Sequence, residues 1–107
     1  MKIDEQKFED NVSKALDLLV ALYNKNRLKI LCKLVEGEKR VSDLLQYFDI
    51  SQSGLSQNLI LMKDKEILDS RNEGAQIFYF IKDKATLEIL EVLYKTYCGG
   101  DDDSTDY

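Results

Sequence analysis

The stretch RVSDLLQYFDISQSGLSQNLILMKDKEIL, residues 40–68, restricts the fold more than any other part of the chain. Val41, Leu44, Leu45 and Phe48 recur at helical spacing, and Leu55, Leu59 and Met62 do so again after the short "DIS" interruption. Ser51 closes that interruption and can cap the next helix by accepting from its free N–H groups. Two short helices joined by so tight a turn form a helix-turn-helix unit. The second helix sets its apolar residues inward and shows Gln52, Ser53, Ser56, Gln57 and, a turn later, Lys63 on the opposite face.

What flanks this unit narrows the architecture. Downstream, ILDSRNEGAQIFYFI reads as two strands, 67–71 and 75–81, rich in Ile, Phe and Tyr, around "NEG". Gly74 supplies the left-handed position of the hairpin. Upstream lie two amphipathic helices. The first carries Phe8, Val12, Ala15, Leu16, Leu19, Leu22 and Tyr23; the second carries Leu28, Leu31, Cys32 and Val35, with Gly37 as its stop. The last segment, DKATLEILEVLYKTYC, is helical to Cys98, and its stripe is wide: Leu87, Leu90 and Tyr94 on one side, Ile89, Val92, Leu93 and Tyr97 spreading around it. A stripe broader than ~100° suits two partners, the chain's own core and a second subunit. The expected fold is therefore mainly α with a β-hairpin, a winged helix-turn-helix in the order helix, helix, helix, helix, strand, strand, helix. Its domain covers residues 1–98, and the glycine-led acidic segment 99–107 is expected to be a disordered tail.

The element order suggests double-stranded DNA as partner. Glutamine can bridge an adenine edge in the major groove, and serines or helix N-terminal N–H groups can hold phosphates. This makes Ser51, Gln52, Ser53, Ser56, Gln57 and Lys63 candidate DNA contacts, with Arg71 on the wing the best candidate for a phosphate or minor-groove contact. The net charge of −5 at first opposes this. Yet Asp101, Asp102, Asp103 and Asp106 are four of the 20 acidic residues, which leaves sixteen acids against fifteen bases in residues 1–98. Between Lys39 and Lys84 seven positive and seven negative side chains balance. Affinity must then come from local arrangement and should fall with salt. The basic cluster Lys25, Arg27, Lys29, Lys33, Lys39 and Arg40 is by default a solvated surface, useful only beside a groove-reading motif.

Other classes fit poorly. The longest apolar run, Leu18 to Tyr23, is six residues, far below the ~20 of a membrane span. The N-terminus lacks the apolar core of a secretory signal, so a cytoplasmic location is expected. The chain has two cysteines and no histidine, which disfavours a zinc site within one chain. There is no nucleophile motif and no phosphate loop, so neither an enzyme nor a cofactor is expected. In a reducing compartment two thiols are rarely a permanent staple. Cys32, on an apolar face, would pack as a small hydrophobe, whereas Cys98 at a helix end before Gly99 is accessible, as reactive thiols must be.

Residues 20–98 resemble the bacterial ArsR/SmtB repressors, through "NKNRLKIL", "VSDL", "ISQSGLSQNL" and the wing "RNEGAQIFYF". The thiolate ligands of that family's arsenic and cadmium sensors would fall at Val41 and Ser42, and its zinc sensors use histidine, so both metal chemistries lack ligands here. "ILCKLVEGE" and "LYKTYC" resemble the persulfide-sensing branch of BigR, SqrR and HlyU-like repressors. Asn58 stands where the family has His, and Glu66 where it has Gly. The resemblance implies a homodimer joined by its first and last helices on a pseudo-palindromic operator. It also implies redox-sensing thiols at Cys32 and Cys98 that reactive sulfur species bridge to release DNA. Two alternatives stay open: a sensor of peroxide or other thiol oxidants on the same fold, and a winged-helix protein-interaction module that reads no DNA.

Overall fold

A computed structural model describes residues 4–98. The chain runs α1 (Glu5–Leu22), α2 (Lys25–Val35), β1 (Lys39–Arg40), α3 (Val41–Tyr47), α4 (Gln52–Asp64), β2 (Leu68–Glu73), β3 (Gln76–Ile81) and α5 (Lys84–Leu93), and ends in a π-helical turn, Tyr94–Cys98. This is the winged helix-turn-helix expected from the sequence, with two differences. The wing is a three-stranded antiparallel sheet in the order β1-β3-β2 rather than a bare hairpin. β1 leaves no period-2 signal in the sequence because it has only two residues, Lys39 and Arg40, paired to Tyr79 and Phe78. The second difference is that the last turn of the final helix widens from α to π. The acidic tail expected at 99–107 lies outside the described residues.

Local chemistry sets the helix starts. Asp4, Asn24, Ser51 and Asp83 each accept from a backbone N–H of the first turn that follows, which satisfies donors that no helical carbonyl can reach. Asp83 also accepts the hydroxyl of Thr86 at 2.6 Å, the one polar side chain buried among the described residues. The hairpin connects Glu73 to Gln76 through two residues, and Gly74 takes φ 62°, where a side chain would be strained.

The core is built by Ile30, Leu31 and Leu34 of α2, Leu44 of α3, Leu55, Leu59 and Met62 of α4, Ile67 and Leu68, Tyr79 and Leu90. On α2, Ile30 and Leu34 lie deeper than the Cys32 and Val35 of the expected stripe, which border the core half-buried. α1 contributes only Ala21 and Leu22 to the buried set, and leaves Phe8, Val12, Leu16, Leu19 and Tyr23 exposed along one face. On the far side of the last helical segment, Val92 and Tyr97 are exposed as well. Among the described residues no helix is long and apolar enough to cross a membrane.

Candidate functional site

Two surfaces hold the residues singled out from the sequence. The first is the outer face of α4 with the adjoining wing. Gln52, Ser53 and Gln57 are exposed and Ser56 half-buried; Ser53 and Gln57 lie opposite the buried Leu55, Leu59 and Met62, with Gln52 and Ser56 flanking that stripe. Ser51 is exposed, but its hydroxyl accepts from Gly54 N at 2.9 Å and so serves the helix first. A Cβ on residue 54 would stand 3.1 Å from that Oγ, a close contact that glycine avoids. Asn58 is half-buried and its amide donates back along the helix to Gly54 O at 3.1 Å.

α4 ends on an unusual residue. Glu66 has φ 65°, the left-handed region that glycine favours. Its N–H donates to Lys63 O at 3.0 Å and that of Ile67 to Met62 O at 2.9 Å, the paired bonds of a Schellman ending. A carboxylate thus occupies a glycine position, and it is ion-paired to Lys82.

The basic side chains of this surface are engaged. Lys63 Nζ donates to Ser70 Oγ at 2.8 Å, tying the end of α4 to β2. Arg71 donates side-on to Glu38, Nε to Oε1 at 2.9 Å and Nη2 to Oε2 at 2.7 Å, while Nη1 reaches Glu73 at 3.0 Å. Its guanidinium also stacks 4.6 Å from the Phe78 ring. Hydrogen bonds from Arg71 hold the Glu38 carboxyl below its ordinary range, and Glu38 and then Glu73 raise Arg71. Part of the upstream basic cluster is likewise used internally: Arg27 caps the Ala21 carbonyl, Lys33 and Lys39 face Glu36, and Arg40 pairs with Asp43.

The second surface is the contact between the end of α2 and the π turn. Cys98 Sγ–H donates to Cys32 Sγ at 3.9 Å, both thiols being free. One turn away, Tyr94 Oη–H donates to Glu36 Oε2 at 3.0 Å. Cys32 and Glu36 are four residues apart on and just after α2, and Tyr94 and Cys98 four apart on the π turn. The two segments therefore meet antiparallel as two rungs, thiol on thiol and phenol on carboxylate. Burial pushes the Cys32 thiol up to about 11, with further contributions from the charge and hydrogen bond of Cys98. Partial burial alone would raise the Glu36 carboxyl, but the Tyr94 bond together with Lys33 and Lys39 outweighs it and leaves the carboxyl below its ordinary range. Cys32 is half-buried against the core and Cys98 exposed, so access to reagents lies on the Cys98 side.

Gly54, Glu66, Glu36, Glu38 and Tyr94 were not singled out as site residues from the sequence. A signal existed for one pair: Glu36 follows Cys32, and Tyr94 precedes Cys98, by the same four residues. Nothing in the sequence couples Glu38 to Arg71, 33 positions apart. Among the described residues no group of His, Cys, Asp and Glu is arranged to hold a metal ion.

Comparison with known proteins gives consistent matches. The family model described as bacterial regulatory protein, arsR family, matches residues 24–70. The transcriptional activator HlyU of Vibrio cholerae is 36% identical over 93 residues, 87% of this chain and 86% of its own length. Reduced HlyU from Vibrio cholerae has a similar structure, with a TM-score of 0.82 at 35% identity, covering 87% of this chain and 98% of that one. The transcriptional repressor BigR from Xylella fastidiosa gives a TM-score of 0.81 at 30% identity, covering 94% of this chain and 100% of that one.

Proposed function

Because this chain belongs to the arsR family of bacterial regulatory proteins, and is a transcriptional regulator rather than an enzyme, we propose that it acts in the cytoplasm as a dimeric repressor gated by its two thiols. It binds a pseudo-palindromic operator in double-stranded DNA and releases it when reactive sulfur species bridge Cys32 and Cys98. The observation that carries this reading is the 3.9 Å approach of two cysteines 66 residues apart in sequence.

The chemistry balances without a metal or cofactor. The exposed Cys98, as thiolate, attacks the terminal sulfur of a low-molecular-weight persulfide RSSH; RS⁻ leaves and Cys98 becomes a persulfide. Cys32, giving up its proton, attacks the inner sulfur of that persulfide and expels HS⁻. In sum, two thiols and RSSH yield one disulfide, RSH and H₂S. A second transfer before closure leaves one sulfur inserted, from two thiols and two RSSH to a trisulfide, two RSH and H₂S. A plain S–S bond is ~2.05 Å, so direct closure requires the sulfurs to approach by about 2 Å, while one inserted sulfur, bent at its two bonds, holds the outer sulfurs about 3.3 Å apart and asks for an approach of only about 0.6 Å.

DNA release follows from where the bridge is anchored. Cys32 belongs to α2, which packs with α3 and α4 in one core; Cys98 ends the segment that exposes Val92 and Tyr97. We assign that face and the apolar face of α1 to the second subunit. Two α4 helices must then sit about 34 Å apart to enter successive major grooves. A bridge that re-seats α2 against the dimer segment alters this spacing. A hundredfold loss of affinity needs only about 2.7 kcal/mol of coupling. On the operator, Gln52, Ser53, Ser56 and Gln57 face the groove, Ser51 and Lys63 lie at phosphates, and Arg71, held by Glu38, meets a phosphate on the wing side.

The test is operator binding by wild type, Cys32→Ser and Cys98→Ser before and after treatment with cysteine persulfide, with the mass of the product recorded. Wild type should lose affinity about a hundredfold and both variants should keep it. Normal release by both variants would overturn the switch. A bridge of equal mass after peroxide and after persulfide assigns the signal to general thiol oxidants instead. No preference for the chain's own promoter region over random duplex would indicate a protein-interaction module.

A further inference from the structure

We propose that the segment Glu36–Gly37–Glu38 reports the state of the thiol pair to the wing, one of its carboxylates being held by the π turn and the other by the wing arginine. The proposal rests on the dithiol reading above and assigns positioning roles to Tyr94, Glu36 and Glu38.

Tyr94 and Cys98 lie four residues apart on a π turn, whose i→i+5 bonding keeps them nearly in line on one side of the segment. Their partners, Glu36 and Cys32, are likewise four apart at the end of α2. The two rungs are therefore mechanically linked. Bringing the sulfurs from 3.9 Å to a covalent bond moves them by about 2 Å. The phenol–carboxylate bond, at 3.0 Å, is lost beyond about 3.5 Å. Closure of the first rung thus exceeds what the second tolerates without moving.

Glu36 cannot move alone. Gly37 follows at φ 141°, a conformation that side-chain-bearing residues rarely adopt, with open space about it. Glu38 then takes the fork of Arg71 through two bonds, and Lys39 enters β1 paired to Tyr79 of the wing. One residue separates the carboxylate facing the thiol rung from the carboxylate facing the wing. A displacement at Glu36 therefore arrives at Arg71 through two clasps and a glycine pivot.

The experiment uses full-length wild type, Tyr94→Phe and Glu38→Gln, each reduced and after cysteine persulfide, with bridging verified by mass. Tyr94→Phe removes only the hydroxyl of the second rung and keeps the ring. Operator affinity should fall about a hundredfold on bridging in wild type and less than tenfold in each variant, with the same bridge formed and reduced-state affinity of Tyr94→Phe within threefold of wild type. Without DNA, the Arg71 Nε–H resonance should shift on bridging in wild type and stay in place in Tyr94→Phe. Variants that bridge fully, release operator like wild type and retain the Arg71 shift would overturn the proposal. A wild type that bridges but keeps its operator would instead refute the sensor reading, and the Arg71 resonance would still decide whether the segment transmits the change.

Discussion

Cys98 Sγ lies 3.9 Å from Cys32 Sγ, within reach of a small movement yet unbonded, and the two thiols differ in setting: one half-buried against the core, the other exposed. That asymmetry orders their chemistry.

Alkylation of the reduced protein near neutral pH should therefore label Cys98 and spare Cys32. Cys32 should become reactive only as pH climbs toward about 11, its folded value. The sign for stability follows: the fold holds this proton more tightly than the unfolded chain does. The contribution is fully present below the ordinary thiol value and is lost as pH rises through about 11. Peptide mapping after iodoacetamide at several pH values checks this; equal labelling of both thiols at pH 7 would contradict it.

Ser51 should serve stability as well as its phosphate contact, and Gln57 recognition alone. Ser51→Ala removes the cap that Gly54 N uses and should cost about 1 kcal/mol of stability. Gln57→Ala should leave the melting temperature unchanged and relax base preference at one operator position, worth about 1–3 kcal/mol of discrimination. Thermal melts beside binding to a panel of single-base operator variants give both readouts.

Glu66→Gly should stabilise the protein by about 0.5–1 kcal/mol, because glycine relieves the left-handed strain at the end of α4. Loss of its exposed, solvent-screened ion pair with Lys82 offsets only a small part of this. Glu66→Val, β-branched at positive φ, should destabilise. Urea midpoints of the three proteins, at constant m-value, decide it.

Asp83→Ala leaves the buried Thr86 hydroxyl and a first-turn N–H without their acceptor. A cost of about 2–3 kcal/mol is expected from a buried unsatisfied hydroxyl plus a lost cap. The double variant Asp83→Ala, Thr86→Val should recover part of it, since the orphaned hydroxyl is gone. A chemical denaturation cycle over the four proteins measures the recovery.

Leu16→Glu places a charge in the middle of the exposed apolar face of α1, where Leu16 is 57% exposed in the single chain. If a second copy covers that face, the variant should sediment as a monomer and lose operator affinity, with little change in helix content. A variant that sediments as wild type does would reassign the face.

Periodicity and turn chemistry by themselves determined the order of the elements, the Ser51 cap, the Gly74 turn and the apolar side of α4, since each depends on residues within a few positions of one another. Even the wide stripe of the last helix was legible, and its outer side, Val92 and Tyr97, is exposed as a two-sided helix requires. The short strand β1 was not, because two residues gain their strand character only from pairing with β3. The widened π turn was not either, since apolar spacing cannot tell it from α over five residues. The family resemblance, and no local pattern, implied that Cys32 and Cys98 pair, and the tertiary structure sets their approach at 3.9 Å; it alone decided that Tyr94 takes Glu36 and that Arg71 is clasped by Glu38. These contacts join positions 33 to 66 residues apart, and a contact between distant side chains is fixed by how helices pack, not by any pattern local to either one.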